Sequence, residues 1–328
     1  MVRKYGILVG LVILLSACQP SPTFLVSASP IPNHEAELYK EVLIEAAIIF
    51  LVITGALIWI LIKNRSRSEK ALPPQIYGKA SWFIVPVFLI VALDGMDFVL
   101  MVQTMNKVKV PPAAAGDLNV RVVGHRWWWE FDYLDQGIAT ANELHIPVGT
   151  NVQISLESVD VIHSFWVPQI SGKTDVIPGQ HNVMWLRGDQ VGVFMGQCAE
   201  FCGTEHALMR FTVHVDSQED FKAWVASQQQ PAYVPQTDDE KAGYAEVTGA
   251  CAACHNIDPS AIDTDKKGPN LAHLFSRSTF AGGTFDLNEE NLRKWLSDTQ
   301  AMKPGNDMDI KILSQKREQI ISYLLHLK

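Results

Sequence analysis

A chain of 328 residues has room for two soluble domains, at roughly 100–200 residues each. Its formal net charge of −8 lacks the basic footprint that nucleic-acid binding needs, and an acidic surface suits a cationic partner met by electrostatic steering. Hydrophobic residues make up 48% of the chain, ordinary for a globular protein, but the longest apolar runs crowd into its first third.

The chain opens as an export signal. Arg3 and Lys4 precede an apolar core over residues 7–15 that is too short to span a bilayer stably. It ends in Leu15-Ser16-Ala17-Cys18, which resembles the bacterial lipoprotein box. That resemblance implies a signal peptide over residues 1–17 and lipidation of Cys18; the alternative is an ordinary signal with an incidental cysteine. After an anchored segment, residues 18–40, an apolar run over 42–62 predicts a first transmembrane helix within 41–63. A second run from 80 to 102 predicts another within 80–106. The intervening stretch, residues 64–79, carries Arg65, Arg67 and Lys70 and should stay cytoplasmic by the positive-inside rule. The N-terminus and everything after Val110 then lie on the outer, periplasmic side of a bacterial cytoplasmic membrane. Asp94 and Asp97 fall inside the second span, where carboxylates suggest function by default. A place near the outer interface, or against a partner subunit, explains them equally.

Between residues 110 and 227 short β-rich runs take over. Residues 119–123, 151–156, 183–186 and 211–215 are separated by glycine and proline turns, the pattern of an all-β Greek-key sandwich. Residues 228–238 are polar and proline-bearing, without periodicity, and read as a linker. Residues 239–328 form an all-α region, with helices predicted over 239–250, 288–299 and 314–327.

Chemistry concentrates in two places. Cys198, Cys202, His206 and Met209 fall within twelve positions, and His163 lies upstream. Thiolate, thioether and imidazole together suit copper in electron transfer. Two cysteines four residues apart allow both thiolates to bridge two coppers, each with one histidine. Met209 and a backbone carbonyl would be weaker ligands. A Cys198–Cys202 disulfide is possible outside the cytoplasm but gives no reason for His206 and Met209. Zinc is a further alternative, for which methionine is a poor ligand. Farther on, Cys251-Ala252-Ala253-Cys254-His255 is a C-x-x-C-H haem-attachment signature, with His255 as proximal ligand and Met302 or Met308 available distally.

The copper loop resembles subunit II of the haem–copper cytochrome c oxidases, whose pattern C-x-E-x-C-x-x-x-H-x-x-M is matched at every position. The likeness runs through residues 158–164 and 173–179 and covers roughly residues 39–226. It implies a cupredoxin sandwich holding a binuclear CuA centre. Its copper ligands would be His163, Cys198, Cys202, His206, Met209 and the Glu200 carbonyl, with the Glu200 side chain on a magnesium ion shared with subunit I. In the stretch Gly124-His125-Arg126-Trp127-Trp128-Trp129, the resemblance makes Trp127 the residue that receives electrons, while Trp128 and Trp129 suit the sandwich core equally. Arg126 departs from the family's usual glutamine, and Lys79 stands where the family has a glutamate at the mouth of a proton path; Trp82 and Pro86 match that pattern. The C-terminal region resembles a class I cytochrome c. Its K-P-G-x-x-M pattern favours Met308 over Met302 as axial ligand, beside Cys251, Cys254 and His255, with Trp295 and Tyr323 as core aromatics.

The implied protein is a caa-type oxidase subunit that passes electrons from haem c to CuA and on to haem a of subunit I, for reduction of oxygen to water coupled to proton translocation. Its partners would be the membrane, subunits I and III, and a donor that is cytochrome c or a quinol:acceptor complex; no nucleic acid is implied. Two other classes stay open on sequence alone. One is a lipidated electron carrier or copper-handling protein, which would not need two membrane spans. The other is a nitric or nitrous oxide reductase sharing the copper loop.

Overall fold

The computed structural model describes residues 23–65, 81–111, 114, 116–262 and 265–328. Cys18, Lys79 and the loop over 66–79 lie outside the described residues, as does the side chain of Trp82. The chain divides into two compact units: residues 31–110, and residues 1–30 with 111–328.

The smaller unit contains two long helices, α1 (Pro30–Asn64) and α2 (Ser81–Lys107). Both are apolar around their whole circumference. Phe50, Leu51, Leu61, Phe88 and Val91 are all exposed, as expected of helices whose solvent is lipid. Stretches of 34 and 22 residues are long and apolar enough to cross a membrane. The shorter would span about 33 Å at 1.5 Å per residue, close to a hydrocarbon core. The helix α1 begins well before the apolar run, because residues such as His34, Glu37 and Lys40 are good enough helix formers to extend it beyond the hydrophobic signal. Asp94 and Asp97 line a groove with Leu38 and Val42 of α1.

The larger unit holds a sandwich and a helical region. Its strands are β1 (Leu118–His125), β2 (Trp128–Tyr133), β3 (Ile138–Ala141), β4 (Glu143–Pro147), β5 (Val152–Ser158), β6 (His163–Trp166), β7 (Lys173–Val176), β8 (Asn182–Leu186), β9 (Gly192–Cys198) and β10 (Arg210–Asp216). They form two five-stranded sheets, ordered β3-β2-β1-β5-β8 and β4-β10-β9-β6-β7. The pairs β1–β5 and β4–β10 are parallel, and the rest antiparallel. Alternation sets the inner faces. Val120 and Val122 of β1 and Val152, Ile154 and Leu156 of β5 are buried, while Asn119, Arg121, Gln153 and Ser155 turn outward. Trp129, Phe165 and Phe211 meet between the sheets with centroids 4.6–5.6 Å apart, so Trp129 is a core residue. Residues 23–30 add to this unit: the Ala28 amide donates to Gln169 O, and Asp189 donates to Ala28 O.

Helix α3 (Gln218–Gln228), N-capped by Ser217, closes the sandwich. Residues 229–237 contain no helix or strand but are anchored. Gln228 donates to Ser276, Tyr233 stacks on His326 at 4.7 Å, and its hydroxyl donates to Glu240. Helix α4 (Asp238–Gly249) starts at a capping box between Thr237 and Glu240. A short hairpin, β11 (Thr279–Phe280) with β12 (Phe285–Asp286), precedes α5 (Glu289–Ser297), α6 (Thr299–Met302) and α7 (Ser314–Leu324). The predicted helix over 288–299 is split in two because Asp298 leaves the helical conformation and caps α6 through the Ala301 amide. A second core of Val247, Leu292, Trp295, Leu296, Ile320 and Tyr323 unites these helices. Gly243 permits the crossing of α4 and α7: a β-carbon there would lie 2.0 Å from the Gln319 carbonyl oxygen.

Candidate metal centres

The loop from Cys198 to Met209 joins two antiparallel neighbours, β9 and β10, whose hydrogen bonds hold its ends together. The Cys198 amide donates to Met209 O at 3.0 Å. Strand β6 lies on the other side of β9 with Phe165 opposite Cys198, so His163 comes up beside the loop. A single 3-10 turn, His206–Leu208, folds His206 back. The result is a tight group: Cys198 Sγ to Cys202 Sγ 3.7 Å, Cys198 Sγ to His163 Nδ1 3.9 Å, Cys202 Sγ to His206 Nδ1 3.6 Å and Cys202 Sγ to Met209 Sδ 3.7 Å. The Glu200 carbonyl oxygen is 3.2 Å from Cys198 Sγ, while the Glu200 side chain points to the surface. Both thiols are free, and their separation is far beyond the 2.05 Å of a disulfide. His163, Cys198, Cys202 and Met209 are all buried.

The donor atoms perturb one another strongly. The Cys198 thiol is pushed down to about 3, first by the hydrogen bond from the Cys202 thiol and further by His163 and the Ser164 and Glu200 backbones, against the effect of burial. Cys202 is pushed up by that thiolate beside it. Burial opposes a charge on His163, but Asp160 and Cys198 together raise its pKa. Asp160 is a residue that motif spacing did not single out. Its Oδ1 binds His163 Nε2 at 2.8 Å, which aims Nδ1 at Cys198, and its Oδ2 accepts the Arg126 amide at 2.7 Å. Trp127, next in the chain, donates its indole N–H to Cys202 O at 3.0 Å and lies over Gly203.

The family profile for the cytochrome c oxidase subunit II periplasmic domain matches residues 136–216, which include every residue of this group. The chain is 32% identical over 294 residues to cytochrome c oxidase subunit 2 of Alkalihalophilus pseudofirmus, covering 87% of this chain and 85% of that one. It is 36% identical over 289 residues to the corresponding protein of Bacillus sp. strain PS3, covering 81% and 80%. The chain belongs to the cytochrome c oxidase subunit II family. It is therefore a subunit of a respiratory oxidoreductase. The solved periplasmic domain of subunit II from Bradyrhizobium japonicum is 31% identical, covering 35% of this chain and 94% of that one at a TM-score of 0.34.

This subunit II carries its second constellation in the helical region. Helix α4 runs into a 3-10 turn, Cys251–Ala253, that presents Cys251 and Cys254. His255 donates Nδ1–H to Pro269 O at 2.7 Å, leaving Nε2 free to bind a metal. Burial lowers the His255 pKa, against the hydrogen bond to Pro269 O. Gly268 lies against the ring: a β-carbon there would be 2.3 Å from His255 Cε1. Met302 ends α6, and Met308 sits in the irregular stretch after it with its carbonyl accepting the Thr299 hydroxyl; both pack on the helical core. Trp295 and Tyr323 are buried in that core.

The helical region lies directly on the copper loop. Lys303 and Glu205 form an ion pair at 3.2 Å, both under 4% exposed, and Lys303 also donates to Ala281 O and Leu208 O. Glu143 of β4, equally buried, accepts the Ser278 and Thr279 amides at 2.8 and 2.9 Å and both hydroxyls. The turn of the β11–β12 hairpin reaches in further. The Arg210 amide donates to Gly282 O, and a β-carbon on Gly282 would lie 2.7 Å from Trp127 O. Trp127 therefore turns its indole to the copper loop, whereas Trp128 donates its own N–H to Lys267 O at 3.2 Å.

If Asp160 fixes the direction of the His163 lone pair, Asp160→Asn should weaken copper binding by about 10–100-fold while leaving the fold intact. Competition titration with a copper chelator, alongside circular dichroism, measures this. Unchanged affinity would show that β6 alone orients the ring.

Proposed function

We propose that this chain receives electrons on a haem c in its C-terminal helical domain, residues 239–328, and passes them to a binuclear CuA centre in its sandwich, residues 110–227. From there they go to haem a of subunit I, where oxygen is reduced to water and protons are translocated. The observation that carries the proposal is the pair of thiols 3.7 Å apart, each with its own imidazole nitrogen within 3.9 Å. Zinc at a structural site would not call on Met209, and a disulfide would close the two sulfurs on each other.

Bound in that group, a copper pair would supply a one-electron couple whose charge change is spread over two metals and two thiolates. Cys198, Cys202, His163, His206, Met209 and the Glu200 carbonyl would hold it. The exposed Glu200 carboxylate, which accepts the Phe201 amide at one oxygen, would share a magnesium ion with subunit I. A c-type haem would supply the second one-electron couple, and the residues present fit it. Cys251 and Cys254 lie on one short turn for thioether attachment, His255 offers Nε2, and Gly268 keeps the flank of that ring clear. Met308 is the proposed distal ligand. The burial of Lys303 and Glu205 between the two domains supports transfer within one chain.

The membrane helices suit a multi-pass subunit with residues 64–79 in the cytoplasm and both redox domains on the periplasmic side, held also by a lipid on Cys18 in the lipoprotein-box reading. Subunit III and a donor that is cytochrome c or a quinol:acceptor complex complete the proposed assembly.

Metal and haem analysis of the purified chain should give two coppers and one covalently bound haem. Cys198→Ser should lose the copper and its thiolate absorption while the sandwich still unfolds cooperatively. Zinc in place of copper would contradict the proposal. Met308→Ala should keep the haem attached but lower its reduction potential, read by redox titration. The same drop from Met302→Ala, with none from Met308→Ala, would reassign the distal ligand.

A further inference from the structure

We propose that Trp128 is the residue that couples the helical domain electronically to the copper loop, handing over to Trp127. This rests on the haem and copper reading given above. The two neighbouring indoles are bonded in different directions. Trp128 Nε1–H donates to Lys267 O at 3.2 Å, on the helical domain. Trp127 Nε1–H donates to Cys202 O at 3.0 Å, on the copper loop.

Each end of this arrangement reaches a metal ligand. Lys267 is followed by Gly268, which touches the His255 ring, and by Pro269, whose carbonyl accepts the His255 Nδ1–H at 2.7 Å. Cys202 carries one of the two thiols. An unbroken sequence of covalent and hydrogen bonds therefore runs from the His255 imidazole through Pro269, Gly268 and Lys267 into the Trp128 indole. It continues through the Trp128–Trp127 backbone into the second indole and ends at Cys202 Sγ. Only three hydrogen bonds are crossed, and no step jumps through empty space. Tunnelling is better coupled through bonds than across gaps, and this is the route that starts at the His255 ring. The contacts of Lys303 and Thr284 with Leu208 O also approach the copper loop, but no hydrogen bond on that side starts at His255.

Trp128 is held for this role. It is buried, and its ring stacks on His125 with centroids 4.1 Å apart and an interplanar angle of 12°. His125 Nε2 is in turn bonded to the buried Glu130 carboxylate at 2.8 Å.

The chemistry is one outer-sphere electron per event. A haem held by Cys251, Cys254 and His255 would supply that electron and a copper pair held by Cys198 and Cys202 would accept it, with no bond formed or broken.

The test uses the assembled oxidase with the full chain. Trp128→Phe keeps an aromatic ring beside His125 but removes the N–H donor together with the pyrrole part of the indole. After photoinjection of one electron into the haem, the rate of copper reduction should fall several-fold, with both absorption spectra and both potentials unchanged. An unchanged rate would overturn the proposal. Absence of covalent haem or copper from the wild-type chain would instead overturn the underlying reading, whatever the variant does. A second measurement needs neither metal. In the full chain labelled with nitrogen-15 tryptophan, the Trp128 indole N–H, assigned by its loss in Trp128→Tyr, should exchange slowly with solvent. Truncation after Gln230 should make it exchange fast. Fast exchange in the full chain would also overturn the proposal.

Discussion

The copper face depends on one constraint, the pairing of β9 with β10 at the mouth of a twelve-residue loop. The bond from the Cys198 amide to Met209 O closes that mouth, and everything between is then confined to a small volume. Because β6 pairs with the opposite edge of β9, His163 is delivered by a strand and not by the loop itself. Three ligand candidates thus sit on, or immediately beside, a hydrogen-bonded sheet, which is a rigid mounting. A fourth, Cys202, is pinned by the Trp127 indole at its carbonyl. Rigidity matters for an electron-transfer site, since any ligand movement on reduction adds to the barrier. Asp160 extends the same logic outward: one carboxylate orients His163 and also holds the amide just before Trp127.

The second domain is fixed by buried charge. Lys303 and Glu205 are almost completely shielded, and removing one partner of such a pair costs about 3–5 kcal/mol, because the other is left charged and dry. Burial lowers the Lys303 pKa, and the Glu205 carboxylate beside it opposes that shift. Glu205 directly precedes His206, and Lys303 precedes the stretch that contains Met308. The contact therefore joins the segments that carry a copper and a haem ligand in the proposed scheme. With Glu143 capping Ser278 and Thr279, it makes residues 229–237 an anchored connection, not a free tether. Linker composition alone suggests the opposite, because polarity and proline say nothing about where Tyr233 and Gln228 find partners.

Much of this was legible beforehand. Period-two alternation located β1, β5 and β10, and the spacing of Cys198, Cys202, His206 and Met209 named a site whose side chains do converge. The cores of both spans were visible as apolar runs, though the polar start of α1 was not. What could not be read was long-range and polar. Nothing local pairs Lys303 with Glu205 or Glu143 with Ser278, since these contacts join residues 98 and 135 positions apart across different kinds of structure. The opposed directions of Trp127 and Trp128 were equally hidden, because the sequence left Trp128 and Trp129 as equal candidates for the core, and Trp129 occupies its centre.

The central claim is that electrons cross from haem to copper inside this one chain. Stopped-flow mixing of the oxidised complex with a reduced external donor tests it most directly, following the haem and copper absorption separately. The account predicts that the haem is reduced first, at a rate that rises with donor concentration. Copper should follow at a rate that does not depend on protein or donor concentration. Copper reduction that precedes the haem, or that scales with donor concentration, would contradict it.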